Sequence, residues 1–137
     1  MKYYITKKVA LSFDEAVQKV IENLSKEGFG IITEINVKET FKKKLDVDFR
    51  NYRILGACNP TFAHHAISVE DKIGVMLPCN VIVQQHLSGE VEVSAINPAI
   101  SMQSVGNTEL SELAGKVGSA LNRVIESIYR HPKSIII

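Results

Sequence analysis

The chain has 137 residues, the common size of one domain, so the expectation is a single domain over residues 1–137. A hydrophobic fraction of 45% with 23% charged residues excludes a mainly disordered chain, a collagen-like repeat and a disulfide miniprotein. Lys plus Arg number 16 against 15 Asp plus Glu, a net charge of +1, so no bulk field recruits nucleic acid or an anionic membrane.

Residues 3–9 contain β-branched and aromatic residues, as in a strand. Ser12 and Glu15 have the spacing of a capping box; Phe13, Ala16, Val17, Val20, Ile21 and Leu24 then keep one helical face until Gly28 stops them. From Phe29 the period becomes two, with Phe29, Ile31, Thr33, Ile35 and Val37 on one face of a strand and Gly30, Glu34 and Asn36 on the other. Val37, Phe41 and Leu45, four apart, mark a short surface helix, and a solvated helix face accounts for Lys42, Lys43 and Lys44 without a nucleic-acid partner. Residues 52–58 form the next strand, and Asn59-Pro60 ends it with an N-cap and a proline at the first helical position. On the helix that follows, Phe62, Ala63, Ala66 and Ile67 share a face, and His64 and His65 lie opposite.

Val75, Leu77, Cys79, Val81 and Val83 read as one face of a further strand, in which Pro78 lacks an N–H and marks an edge, a bulge or the first turn. Ser88-Gly89 makes a tight turn into residues 90–96, with Val91, Val93 and Ala95 inward. Asn97-Pro98 ends that strand, a link over residues 100–106 follows, and Asn107 or Thr108 caps a last helix. That helix carries Leu110, Leu113, Ala114, Val117, Leu121, Val124, Ile125 and Ile128 as far as Tyr129, and Pro132 stops it. The strands and the two long amphipathic helices predict a two-layer α+β fold, a mostly antiparallel sheet with helices on one face. The sheet's second face and the apolar Ile135, Ile136 and Ile137 need cover, which predicts a homodimer.

No apolar stretch approaches the roughly 20 residues of a membrane helix, and residues 1–8 have no signal-peptide core; no membrane association is predicted, and the expected location is the cytoplasm. There Cys58 and Cys79 are expected as reduced thiols. They begin two Cys-Asn pairs, and the β pattern allows both thiols on one side of the sheet, where free cysteines commonly fill core space. A zinc site would draw on Cys58, Cys79, His64, His65 and His86, but no Cys-x-x-Cys or His-x-x-x-His pair is present. Adjacent helical histidines also diverge by about 100°, so no metal ligands are assigned. A catalytic thiolate at Cys58 could draw on the free amides of the helix that follows it. No nucleophile elbow, phosphate-binding glycine loop, dinucleotide fingerprint or acid pair occurs, so neither a reaction class nor a cofactor is legible.

A binding site makes fewer demands, because the same helix start can accept a carboxylate or phosphate, with Asn59 and Thr61 adding hydrogen bonds. The expected function is a small-ligand-binding domain with its pocket at Cys58, Asn59, Thr61, Cys79 and Asn80 and a polar or anionic ligand. The alternative is a thiol-dependent or zinc-binding protein that uses Cys58 and Cys79.

Ile54-Leu55-Gly56-Ala57-Cys58-Asn59-Pro60, then Ala63 and Ala66, then Gly74-Val75-Met76-Leu77-Pro78-Cys79-Asn80-Val81 resemble the signature of a bacterial and archaeal family, domain of unknown function 302. The resemblance covers nearly the whole chain. It implies an α+β fold of the β-α-β4-α kind, as in TATA-binding-protein-like folds, and a homodimer; it implies no activity.

Overall fold

The structure, a computed structural model, describes residues 2–128; Tyr129, Pro132, Ile135, Ile136 and Ile137 lie outside the described residues. Strand β1 (Tyr4–Val9) leads into helix α1 (Phe13–Lys26) through the capping box read from the sequence. Glu15 N–H donates to Ser12 Oγ at 3.2 Å, and Ser12 N–H donates to Glu15 Oε1 at 3.1 Å. Gly28, at φ +85°, turns the chain out of α1 in a conformation that only glycine reaches without strain, and Phe29 N–H closes the helix end on Leu24 O at 2.9 Å.

Strand β2 (Gly30–Asn36), helix α2 (Val37–Leu45), strand β3 (Tyr52–Cys58) and helix α3 (Pro60–Val69) follow. Strands β4 (Cys79–Gln85) and β5 (Val91–Ile96) form the hairpin, and helices α4 (Pro98–Ser101) and α5 (Thr108–Glu126) complete the described chain. Among the described residues the five strands make one antiparallel sheet in the order β1-β5-β4-β3-β2. α1 and α5 pack on one face of it, where Leu55, Val81, Val83, Val91 and Val93 meet Val17, Val20, Leu24, Leu121, Val124 and Ile125. With the shorter helices set aside, the order is β-α-β4-α, the α+β architecture that the sequence predicts. Among the described residues no helix is long and apolar enough to cross a membrane.

Three elements depart from the sequence reading. In β2 the register shifts between Ile31 and Thr33: Ile31 pairs with Ala57, and Thr33 pairs with the adjacent Gly56, so Ile32 is an extra residue in a bulge. Each bulge reverses the alternation, so Thr33 and Ile35 do not share a face with Ile31, and Val37 already belongs to α2. The second departure precedes β4. The β3–β4 ladder stops at Ala57–Cys79, and residues before Cys79 have no strand to pair with. They fold instead as a 3-10 helix, Asp71–Met76, which buries Ile73 and leaves Val75 in solvent. Third, the link after Asn97 contains α4 and a 3-10 turn, Gln103–Val105. α2 is a surface helix as read, with Phe41 stacked edge-on against Phe49 at 5.1 Å and Leu45 exposed.

Candidate functional site: a cavity between two cores

The buried apolar residues fall into two clusters. The larger joins the sheet to α1 and the C-terminal half of α5; the smaller gathers Ala66, Ile73, Met102, Leu110, Leu113 and Ala114. Between them lies a cavity of about 340 Å³. Ala57, Cys79 and Phe29 wall it from the large cluster, with Val117, and Phe62 packs against both. Ala63, Ala66 and Ile67 of α3 face Leu110, Leu113 and Ala114 of α5 across it. Gly74, Leu77 and Pro78 close one side, and Pro98 and Met102 close another. Ile32, the bulge residue of β2, reaches the rim, which is what a bulge accomplishes when it re-aims one side chain.

Of the residues singled out in the sequence, Cys58, Asn59 and Cys79 border this cavity, and Thr61 and Asn80 do not. Thr61 is exposed on the first turn of α3. Asn80 is exposed because it pairs with Gly56 on the sheet face turned away from α1 and α5. The two thiols do not share a sheet face: Ala57 is the register partner of Cys79, so strand alternation carries Cys58 to the opposite side. Both still border the cavity because it opens where β3 ends and β4 begins. Burial, with a smaller contribution from Cys58, pushes the Cys79 thiol up to about 11, so it is a neutral wall group at physiological pH. Both cysteines are free thiols.

Asn59 works as a two-ended tie. Its Oδ1 accepts from Phe62 N–H at 3.3 Å, capping α3, while its Nδ2 donates to Glu27 O at 3.4 Å, holding the end of α1. Gly28 is part of the fit, since a Cβ there would stand 2.9 Å from Asn59 Nδ2. Asn107 repeats the device at α5, accepting from Leu110 N–H at 3.0 Å and donating to Val69 O at 3.0 Å. Asn97 precedes a proline as Asn59 does, yet its side chain makes no capping bond to α4.

This geometry offers an anion little to bind at the helix start. Pro60 has no N–H and Asn59 takes that of Phe62, so Thr61 has the one unclaimed amide among the first three residues of α3. No Lys, Arg or His lines the cavity either, and a carboxylate or phosphate inside it would be buried without a partner. The histidines lie elsewhere: His64 and His65 are exposed, His65 Nε2 lies 3.3 Å from Glu109 Oε2, and His86 Nε2 bonds Glu92 Oε1 at 2.8 Å. Among the described residues no three His, Cys, Asp or Glu side chains converge to hold a metal ion.

Sequence reading placed Phe62, Ala63, Ala66 and Ile67 on one face of α3, and that is the face on the cavity. It missed Phe29, Met102, Leu110 and Leu113 as wall residues, because their periodicity marks burial and not what they are buried against. The usable signal was the small residues Ala63, Ala66 and Ala114 on two facing helices, which leave space where larger side chains would fill it.

The family model described as domain of unknown function DUF302 matches residues 5–128. A crystal structure of an uncharacterized conserved DUF302 protein from Bacillus stearothermophilus superposes with a TM-score of 0.86 at 25% identity, covering 92% of this chain and 98% of that one. No curated protein matches at a significant level. With the match running from β1 to the end of α5 and the same fold in a solved relative, the chain belongs to the DUF302 family.

Proposed function

We propose that this domain binds a small apolar molecule, or the uncharged hydrocarbon part of a larger one, in the cavity between its two cores. The supporting observation is that about 340 Å³ lies open between apolar clusters that close packing would otherwise merge. An engineered apolar cavity of about 150 Å³ holds benzene, so this one, which opens to solvent at Ile32 and Ile67, takes roughly ten to fourteen heavy atoms counted out to its mouth and lets a larger molecule project beyond it. Apolar walls supply affinity through removal of surface from water, and Asn59 and the neutral Cys79 thiol add polarity without charge. The cysteines are wall groups in this reading.

The test is a titration with N-phenyl-1-naphthylamine, an uncharged fluorophore that brightens in apolar surroundings. Wild type should show saturable binding of one molecule per chain, and the same probe should slow alkylation of the half-buried Cys58. Ala114→Phe, which fills the cavity from α5, should abolish both effects while its melting curve stays cooperative. Equal brightening in wild type and a folded Ala114→Phe would show that the probe sits elsewhere and would overturn the proposal.

A further inference from the structure

The cavity is open to solvent on one side. Two of its wall residues, Ile32 and Ile67, are 60% and 45% exposed, so the apolar lining continues out onto the surface. Val75 and Met76, beside the wall residues Gly74 and Leu77, are 89% and 43% exposed. These four side chains are large apolar groups in water, and they come from three separate segments: the β2 bulge, α3 and the 3-10 helix. A compact hydrocarbon held inside would leave the exposed rim as wet as before.

Polarity is distributed in the opposite sense. The wall carries no cationic side chain, and both ends of the Asn59 amide are already engaged with Phe62 N–H and Glu27 O. A charged or strongly hydrated group therefore has no partner inside and is stable only beyond the mouth. From this placement, and resting on the cavity reading above, we infer that the natural ligand is a single-chain amphiphile. Its hydrocarbon end fills the cavity, its chain crosses the rim at Ile32 and Ile67, and its polar head stays in water.

The experiment is a calorimetric titration of the full chain with straight-chain alkan-1-ols from hexanol to dodecanol and with the matching alkanoates, all below their aggregation limits. Affinity should rise roughly three- to fourfold per methylene through the whole series. Alcohol and alkanoate of equal length should bind within a few-fold of each other, since neither head enters the apolar wall. Ile32→Ser combined with Ile67→Ser, both on the surface, should weaken dodecanol about tenfold and leave hexanol unchanged. Sedimentation with phosphatidylcholine vesicles distinguishes a free chain from a bilayer, and the protein should remain in the supernatant.

An affinity that levels off at the length the cavity holds, with the rim variant indistinguishable from wild type, would overturn this inference and leave the cavity reading intact. Alkanoates that fail to bind while alcohols succeed would overturn it as well, because the head would then be inside. Vesicle binding without any alcohol titration would replace the free amphiphile by a membrane surface. If no alcohol of any length binds and N-phenyl-1-naphthylamine also fails, the cavity reading itself falls.

Discussion

Four asparagines precede helices among the described residues, and the three that follow β3, Asn59, Asn97 and Asn107, carry different energies. Asn107 satisfies Leu110 N–H and ties down Val69 O, both at 3.0 Å. Removing it in Asn107→Ala takes away a cap of about 1 kcal/mol and a second hydrogen bond of about 1 kcal/mol, a loss of about 2 kcal/mol. Asn59 makes the same two contacts at 3.3 and 3.4 Å, longer and weaker. Asn59→Ala should therefore lose about 1 to 1.5 kcal/mol. Asn97 caps nothing through its side chain, and Asn97→Ala should stay within about 0.5 kcal/mol of wild type. Urea denaturation followed by far-ultraviolet circular dichroism measures all three, and the slope against urea should be common to the set, so that midpoints report stability alone. The order Asn107, Asn59, Asn97 is the content of the prediction. A flat series, or an Asn97→Ala loss as large as that of Asn107→Ala, refutes the assignment of stability to these ties.

Gly56 faces Thr33 across the β2–β3 ladder, and a Cβ on it would collide with Thr33 Oγ1 and stand 2.8 Å from Pro78 Cγ. Gly56→Ala should lose about 1 to 3 kcal/mol, and Thr33→Ala in the same chain should restore part of it in a double-mutant cycle; strict additivity would contradict the contact. Burial raises the Glu92 carboxyl, but hydrogen bonds from Thr6 at 2.7 Å and His86 at 2.8 Å outweigh it and hold the group below its ordinary range. A depressed acid stabilises the fold above its unfolded value and loses that contribution as pH falls through the folded one. Glu92→Gln should consequently flatten the acid side of the stability profile, and profiles of equal slope would count against the network. At pH 8 the buried, protonated Cys79 should react with iodoacetamide far more slowly than Cys58, and equal rates in the folded protein would place Cys79 in solvent. We propose that a second copy covers the sheet face opposite α1 and α5, where Ile35, Ile54 and Ile82 stand side by side across three strands. Sedimentation should then give a dimer that Ile82→Lys dissociates, and a wild-type monomer at high micromolar concentration would contradict it.

Much of the architecture was written locally. Ser12 with Glu15, Gly28, Asn59-Pro60 and Ser88-Gly89 specify their turns and caps through contacts within a few residues, and the faces of α1, α3 and α5 follow from apolar spacing. Strand pairing decided the rest. Ile32 leaves the alternation because β2 fits Gly56 and Ala57 with one residue to spare, and Val75 leaves its strand because β3 has ended before it can pair. The cavity is further still from sequence, since its wall is drawn from residues 29 to 117 and exists only as the space those side chains fail to fill. Periodicity states which side of an element meets the interior. How completely two interiors meet depends on the volumes of side chains that are distant in the chain, and that sum is made only when the fold brings them together.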